Sequence, residues 1–544
     1  MFSPLRMLRS SREGPTAGKV CRRTPIRLGT ALIAVLGMLL GPLAIAASAA
    51  ATPRAATPVM GSYVSVTPFR ISDTRPNSGQ PNAGKALTAA ATLSVQVTEV
   101  GTAPVPAGAS AVVLNVTAVN PTASGFLTVF PAGTAMPTVS NLNFKPGVTV
   151  ANLVTVPLSS SGMVSIYNHA GNTNVVVDVD GYYTSTPLTN GSGLYNPLSP
   201  TRVLGSLQLG SAIGPNTSLP VTVAGTGAAD GVPANASAVV TNVTAAHGTQ
   251  ASFLTVYPAG VTAMPIASNV NFVSGQAVPN RVTVGVGTGG QIEVYNHAGT
   301  VNVDVDVDGY YTGAGGTGSY FVPITPVRLT DTRVPTNGMP IAANTSEEFN
   351  LSTTASGIPT TATAVATNIT VVPSGAPGYL TVYPASDTTV PVASDVNWTA
   401  NESPAVSNFT VADTGGTGSV EVYNSHGVTI NLLIDAFGYF ARQLPTHTTV
   451  SRSPGNVTYG HESASVFTVN VTTGNGEAVP GGETATVHVG SVTCTVALKG
   501  GKGTCTIANT ALPVGSYLVL ATYGGDANLS GSSGSSAFKL IVST

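Results

Sequence analysis

Charge is scarce in this chain. Asp, Glu, Lys and Arg make up only 8% of its 544 residues, and beyond residue 49 the acidic ones outnumber the basic ones. No basic patch remains for a nucleic acid, and no polybasic stretch for an anionic membrane. Low charge can also mark a membrane protein, but only one long apolar run exists, Leu28 to Ala50. Thr, Ser, Asn and Gly supply the polarity elsewhere, the composition of an exported all-β protein with uncharged polar faces. The seven histidines form no cluster at zinc spacing. A Gly-x-Ser-x-Gly elbow, a phosphate-binding glycine loop and a His-Glu-x-x-His motif are all missing. No acid pair is singled out for glycoside hydrolysis. Catalytic, cofactor-binding and metal-ligating residues are therefore not expected.

Residues 1–50 read as a targeting segment. Arg22, Arg23 and Arg27 precede the apolar run, which ends in the small-x-small pattern Ala47-Ser48-Ala49. Arg22-Arg23 hints at twin-arginine export, although Thr24-Pro25 matches that signal poorly, and Cys21 lies too early to accept a lipid. The alternative is an uncleaved anchor, since the run is nearly long enough to span a bilayer. Gly37 and Gly41-Pro42 favour cleavage. The C-terminal Phe538 to Thr544 carries neither a sorting signal nor a membrane tail, so attachment to a cell is expected to be non-covalent or through the N-terminal segment.

Two cysteines follow the targeting segment, Cys494 and Cys505. An even pair in an exported protein reads as a disulfide, with two free buried thiols as the alternative. A hairpin turning at Lys499-Gly500 would set the two opposite each other.

What the chain has in abundance is repetition. Gly125-Phe-Leu-Thr-Val-Phe-Pro131 returns as Ser252-Phe-Leu-Thr-Val-Tyr-Pro258 and as Gly378-Tyr-Leu-Thr-Val-Tyr-Pro384. So long a period is a whole domain rather than a solenoid unit. After a linker (51–61), the expected organisation is module one at 62–187, module two at 193–313, module three at 318–442 and a different domain at 446–544. Gly/Ser/Thr-rich joints between the modules read as short flexible linkers. Each module contains about eight β-branched and aromatic runs bounded by Gly, Pro and Asn, with no helical period. That is the scale of a β-sandwich or jelly roll. An open single sheet would leave its edges exposed.

Separated motifs carry a resemblance. Pro68-Phe-Arg-Ile-Ser-Asp-Thr-Arg75, Leu127-Thr-Val-Phe-Pro131, Ser140-Asn-Leu-Asn-Phe144 and Asp178-Val-Asp-Gly-Tyr-Tyr183 together resemble a tandem module of secreted actinobacterial proteins. The resemblance implies export and assigns no activity. The last domain resembles the bacterial immunoglobulin-like (group 3) domains of surface proteins, through Asn456-Val-Thr-Tyr-Gly460, Leu512-Pro-Val-Gly-Ser-Tyr517 and Ala521-Thr-Tyr-Gly-Gly-Asp-Ala-Asn528. Such domains are stalks, spacers or binding modules. The fold class expected is all-β: three tandem sandwich or jelly-roll-like modules and a C-terminal immunoglobulin-like sandwich.

The repeats can be compared within one chain. Arg70, Arg202 and Arg328 are equivalent, as are Asp178, Asp306 and Asp435. If opening and closing strands are neighbours, each module holds a structural Arg–Asp pair, with ligand binding as the other role. Asp73-Thr74-Arg75 recurs as Asp331-Thr332-Arg333, but module two has Gly205-Ser206-Leu207 there. The motif reads as a turn capped by Asp. Asp304, Asp306 and Asp308 alternate with Val and share a strand face, yet module three has Phe437 where module two has Asp308, which speaks against calcium. His169 and His297 sit in Tyr-Asn-His-Ala-Gly turns, while in module three the histidine moves by one, to His426. Such a shift suits a turn residue, not a metal ligand or catalytic base. Asn115-Val-Thr117, Asn242-Val-Thr244 and Asn368-Ile-Thr370 match a glycosylation sequon but lie within strands and read as sheet residues.

Trp398 aligns with Phe144 and Phe272, the behaviour of a core position. The module-closing pairs Tyr182-Tyr183, Tyr310-Tyr311 and Tyr439-Phe440 are the candidate glycan contacts, because alternation along a strand leaves one ring of each pair outward. Repeated weak contacts would gain avidity. The expected protein is a secreted or surface-associated, non-enzymatic structural or adhesive protein, the alternative being a multivalent cell-wall or polysaccharide-binding protein. Its expected partners are wall polysaccharide or surface proteins. It needs no cofactor and no nucleic acid, and meets a membrane only through an uncleaved N-terminal segment.

Overall fold

A computed structural model describes residues 60–544 except 102–104, 189, 207–211, 227–230, 354–355, 373–375, 400–404, 444–445, 474–477, 480 and 526–528. The targeting segment and residues 51–59 of the linker lie outside the described residues. The protein is all-β, built of tandem sandwiches.

Module one sets the pattern with eight strands: β1 (Tyr63–Asp73), β2 (Thr92–Gln96), β3 (Ala111–Val119), β4 (Gly125–Pro131), β5 (Leu142–Phe144), β6 (Val150–Pro157), β7 (Met163–Asn168) and β8 (Asn174–Tyr183). They form two antiparallel sheets, β1-β8-β3-β6 and β2-β7-β4-β5. This interleaved order is that of a jelly roll. Modules two and three repeat both sheets strand for strand. Each module closes its own apolar core, with Leu114, Leu127 and Ile166 in the first, Leu254 and Ile292 in the second, and Leu380 and Trp398 in the third.

The strand β3 shows why the modules are not separate beads. Its sequence Ala-Val-Val-Leu-Asn-Val-Thr-Ala-Val is almost wholly buried rather than alternately so, as in a strand covered on both faces. Val112, Leu114 and Val116 enter the module's own core, while Ala111 and Val113 join a further cluster drawn from all three modules. The asparagine of each sequon lies on that second face. The Nδ2 of Asn115 donates to Ser268 O in module two. Asn242 donates likewise to Ser394 O in module three (2.5 Å), and Asn368 to Ser140 O back in module one (2.6 Å). A second ring runs inside the first: Asn280 donates to Asn115 Oδ1 (2.9 Å), Asn408 to Asn242 Oδ1 (3.0 Å) and Asn152 to Asn368 Oδ1 (2.9 Å). The same head-to-tail interface recurs and closes after three steps, which makes the chain a covalent cyclic trimer of its own module.

Six aromatic rings seal one part of this junction. Tyr63 stacks on Tyr311 at 4.3 Å, Phe321 on Tyr183 at 4.2 Å, and Tyr195 packs on Phe440 at 4.4 Å, each pair joining two modules. The closing motif's glycine makes room for them. A Cβ on Gly181 would lie 2.3 Å from the Tyr63 hydroxyl, and one on Gly309 would lie 2.3 Å from that of Tyr195. The joints expected to be flexible are instead hydrogen-bonded across modules. Gly61 and Phe321 exchange backbone bonds (2.9 and 3.1 Å), as do Tyr195 and Ser319 (both 2.8 Å), and Tyr63 N–H donates to Gly193 O (2.8 Å). Backbone groups buried beneath a neighbour must find partners, and here the neighbour supplies them.

The C-terminal domain is a separate sandwich with its own core around Phe467, Val487 and Tyr523. Cys494 and Cys505 are bonded, their Cα atoms 6.1 Å apart. The geometry differs from a hairpin. Val492–Ala497 pairs with Thr484–Val489, whereas Lys502–Cys505 pairs with Val466–Thr473. The chain changes sheet at the Lys499–Gly501 corner, so the disulfide ties the two sheets together. With the cysteines 11 positions apart in sequence, closing the loop in the unfolded chain contributes about 3 kcal/mol. Cys494→Ala/Cys505→Ala is expected to lower this domain's urea midpoint accordingly, leaving the transition of the three modules in place.

Candidate functional site

The three Arg–Asp pairs are forks between opening and closing strands. In module one Arg70 Nε and Nη2 meet Asp178 Oδ1 and Oδ2 at 2.8 and 3.0 Å. Arg202 meets Asp306 at 2.8 and 3.0 Å, and Arg328 meets Asp435 at 2.7 and 2.9 Å. Each carboxylate is buried. Burial pushes these carboxyls up, and the paired arginine works against it. The pairs also face outward from their module: Asp178 accepts from Ser268 N–H in module two and Asp435 from Ser140 N–H in module one, both at 3.2 Å. Arg328→Ala strands the Asp435 carboxylate at a module junction. It is expected to cost about 3 kcal/mol, the lower end for a buried pair because Arg328 is partly exposed. The check is a denaturant titration of the whole chain.

Four of the six module-closing aromatics are buried and are not surface platforms, which corrects the expectation drawn from strand alternation for those four. Tyr183, Tyr311 and Phe440 belong to the buried six-ring junction, and Tyr439 is buried in the core of module three. Tyr182 and Tyr310 are half-buried against their own cores. Alternation assumes that one face of the sheet meets water, and here neighbouring modules cover it.

The carboxylates of module two are claimed by arginines as well. Asp304 lies 3.1 Å from Arg202 Nη1, and Asp308 pairs with Arg281. Arg281 is fully buried and also meets Asp395 of module three. It donates further to Thr410 Oγ1 (2.5 Å) and Phe409 O (3.2 Å). Sequence reasoning missed this triad. The available signal was a charged residue standing where the sister modules have Leu153 and Phe409.

Two recesses lie at the junctions. One, of about 380 Å³, is lined by equivalent residues of all three modules, among them Asn143, Asn271 and Asn397. The other, of about 490 Å³, runs between modules one and three. Its module-one side includes Phe126, Met136 and His169; its module-three side includes Arg328, Arg333 and Leu433. Phe126 and His169 stack with centroids 4.4 Å apart. Opposite them, the Asp331-Thr332-Arg333 motif forms a tight turn. Asp331 Oδ1 accepts from the N–H of Arg333 (3.2 Å) and its Nε (2.8 Å), and Oδ2 accepts from Nη2 (2.7 Å). Those bonds from Arg333 hold the Asp331 carboxyl below the usual carboxylate range. The guanidinium therefore stays charged and oriented, with one edge left open to solvent. In Asp73 burial pushes the carboxyl up, but Arg75 and Arg70 outweigh it and the net shift is down.

No family model and no curated protein matches the chain. Among solved structures, the BSP domain of a biofilm-associated protein is similar at 10% identity over 89% of this chain and 96% of that one, with a TM-score of 0.12. So distant a likeness transfers nothing to this protein. No helix among the described residues is long and apolar enough to cross a membrane.

Proposed function

We propose that this is an exported, non-enzymatic surface or extracellular protein of structural and adhesive character. Its three jelly rolls act as one rigid head, and the immunoglobulin-like domain is a spacer or second contact. The carrying observation is where the repeated polar residues go. The Asn rings are spent on joining modules, and the Arg–Asp forks, which in an enzyme would be candidates for a reactive cleft, tie opening to closing strands while Asp178 and Asp435 also accept from a neighbouring module. Two recesses between modules remain open to a partner. That placement also supports the second reading, a multivalent protein for cell-wall polysaccharide, because several recesses on one rigid body engage a polymer together.

The test is co-sedimentation of the mature chain with isolated actinobacterial cell walls, the source implied by the sequence resemblance, over a range of protein concentrations. Saturable pelleting supports wall attachment. Absence of pelleting moves the adhesive role to protein partners, and release of soluble fragments from the walls would overturn the non-enzymatic reading.

A further inference from the structure

The junctions contain a pattern that no single module shows. In the groove between modules one and three, the Phe126–His169 stack of module one faces Arg333 of module three. The interface between modules two and one is built the same way, since Ser268 binds Asp178 as Ser140 binds Asp435. By that equivalence the Phe253–His297 stack (4.7 Å) belongs to the junction that carries the Asp73–Arg75 turn (Nη2 to Oδ2, 2.5 Å), where the strand Ser252–Pro258 contacts β1. The third interface joins module two to module three through Asn242 and Ser394 O. In the sequence, the position of Arg75 and Arg333 is held in module two by Leu207 rather than an arginine. On the facing module the histidine's place is taken by Ser425, whose Oγ donates to Tyr379 O (2.8 Å). His426 is turned inward and buried against Trp398.

Within each module these features look unrelated: module two keeps its histidine and lacks the arginine, and module three keeps its arginine and shifts the histidine. Across the junctions they go together. The groove between modules one and three has both the arginine and the stack, the equivalent junction of modules two and one carries both, and the third carries neither. Two residues that depend on each other only through something bound between them would be lost in this way.

We propose that the two grooves carrying Arg75 with Phe253–His297 and Arg333 with Phe126–His169 are equivalent binding sites for a pyranose unit bearing a carbonyl or carboxylate oxygen. This names the site and the ligand class for the polysaccharide reading above and rests on it. The aromatic–imidazole stack offers a flat, partly exposed face of the kind a sugar ring covers. The neighbouring carboxylates are already engaged by their own arginines, and the open edge of the guanidinium can only donate. A ligand must therefore bring an acceptor to that edge. A cavity of about 490 Å³ is within the range of small-ligand sites.

The test is calorimetric titration and ligand-observed NMR on the mature chain with three hexasaccharides. Chitohexaose carries an amide carbonyl, hexagalacturonate a carboxylate, and cellohexaose hydroxyls alone. Binding is expected with two sites per chain and a Kd on the order of 1 mM, at least tenfold weaker for cellohexaose; whichever of the other two binds tighter identifies the acceptor. Phe126→Ala is expected to remove one site, and Phe126→Ala/Phe253→Ala both. Tyr379→Ala is expected to leave both, although Tyr379 is the more exposed ring. Arg333→Gln serves as a second route to losing the first site if a phenylalanine variant melts early. Failure of all three sugars to bind, cellohexaose binding as tightly as the others, or two sites surviving in the double variant would overturn the proposal. Walls that still pellet the protein in that case would leave the wall-binding reading standing and place its contact elsewhere.

Discussion

Arg281→Phe on its own is expected to destabilise the three-module head by about 3–5 kcal/mol, because it leaves two buried carboxylates facing one another without their shared cation. Asp308 and Asp395 come from different modules, and Arg281 is the group between them. Burial pushes Asp308 up, and removing the arginine would push it further. The junction of modules three and one shows how the same corner is built without charge. Module three has Phe409 and Phe437 at the positions of Arg281 and Asp308, and Asn141 of module one stands where Asp395 stands. Asn141 Oδ1 accepts the N–H of Val129 at 2.7 Å, as Asp395 Oδ2 accepts that of Val382 at 2.7 Å. The triple variant Arg281→Phe/Asp308→Phe/Asp395→Asn is therefore expected to recover most or all of the lost stability. Urea titrations of the single and triple variants measure this. A single variant as stable as the wild type would mean that the triad contributes nothing to the junction.

Asp180→Leu is expected to have the opposite sign and to stabilise the head by about 1–3 kcal/mol, since it removes a buried polar group that has no partner. Asp180 occupies in module one the place of Asp308, but the residue corresponding to Arg281 is Leu153. Both carboxylate oxygens of Asp180 are buried without a hydrogen bond. Its backbone oxygen is engaged, by the Tyr63 hydroxyl at 3.0 Å. Burial first, and the charge of Asp178 second, raise this carboxyl well above its ordinary range. The folded state then holds a proton that the unfolded state releases once pH exceeds about 3.9. Asp180 thus costs stability progressively as pH rises from there toward its folded pKa, and costs little below. The gain from Asp180→Leu should grow with pH across that window. A gain that is flat with pH would show the carboxyl to be paired or solvated.

Much of the architecture was legible in the residues because it is local. Alternating β-branched and aromatic runs between Gly and Asn give strands, and eight of them with a period of one module give a sandwich. The aligned Arg–Asp positions could be read from the repeat itself, since they join the first strand of a module to its last. The unalternating Ala111 to Val119 run was a sign that both faces of β3 are covered. Its buried sequon asparagine could have been read as a group needing a partner outside the module. Neither sign says which surface supplies the cover, and the closing tyrosines were misjudged for that reason.

Composition, period and strand pattern determined on their own that the chain is a tandem all-β array with a different last domain. Each of those features depends on residues close in sequence and on a core within one module. Only the tertiary structure decided that the array closes on itself, because closure depends on contacts between residues more than a hundred positions apart, such as Asn115 with Ser268. It also decided that Arg333 and His169 line one groove. Those pairings join one module to the next, so aligning the modules on one another places the partners in separate columns and hides the relation between them.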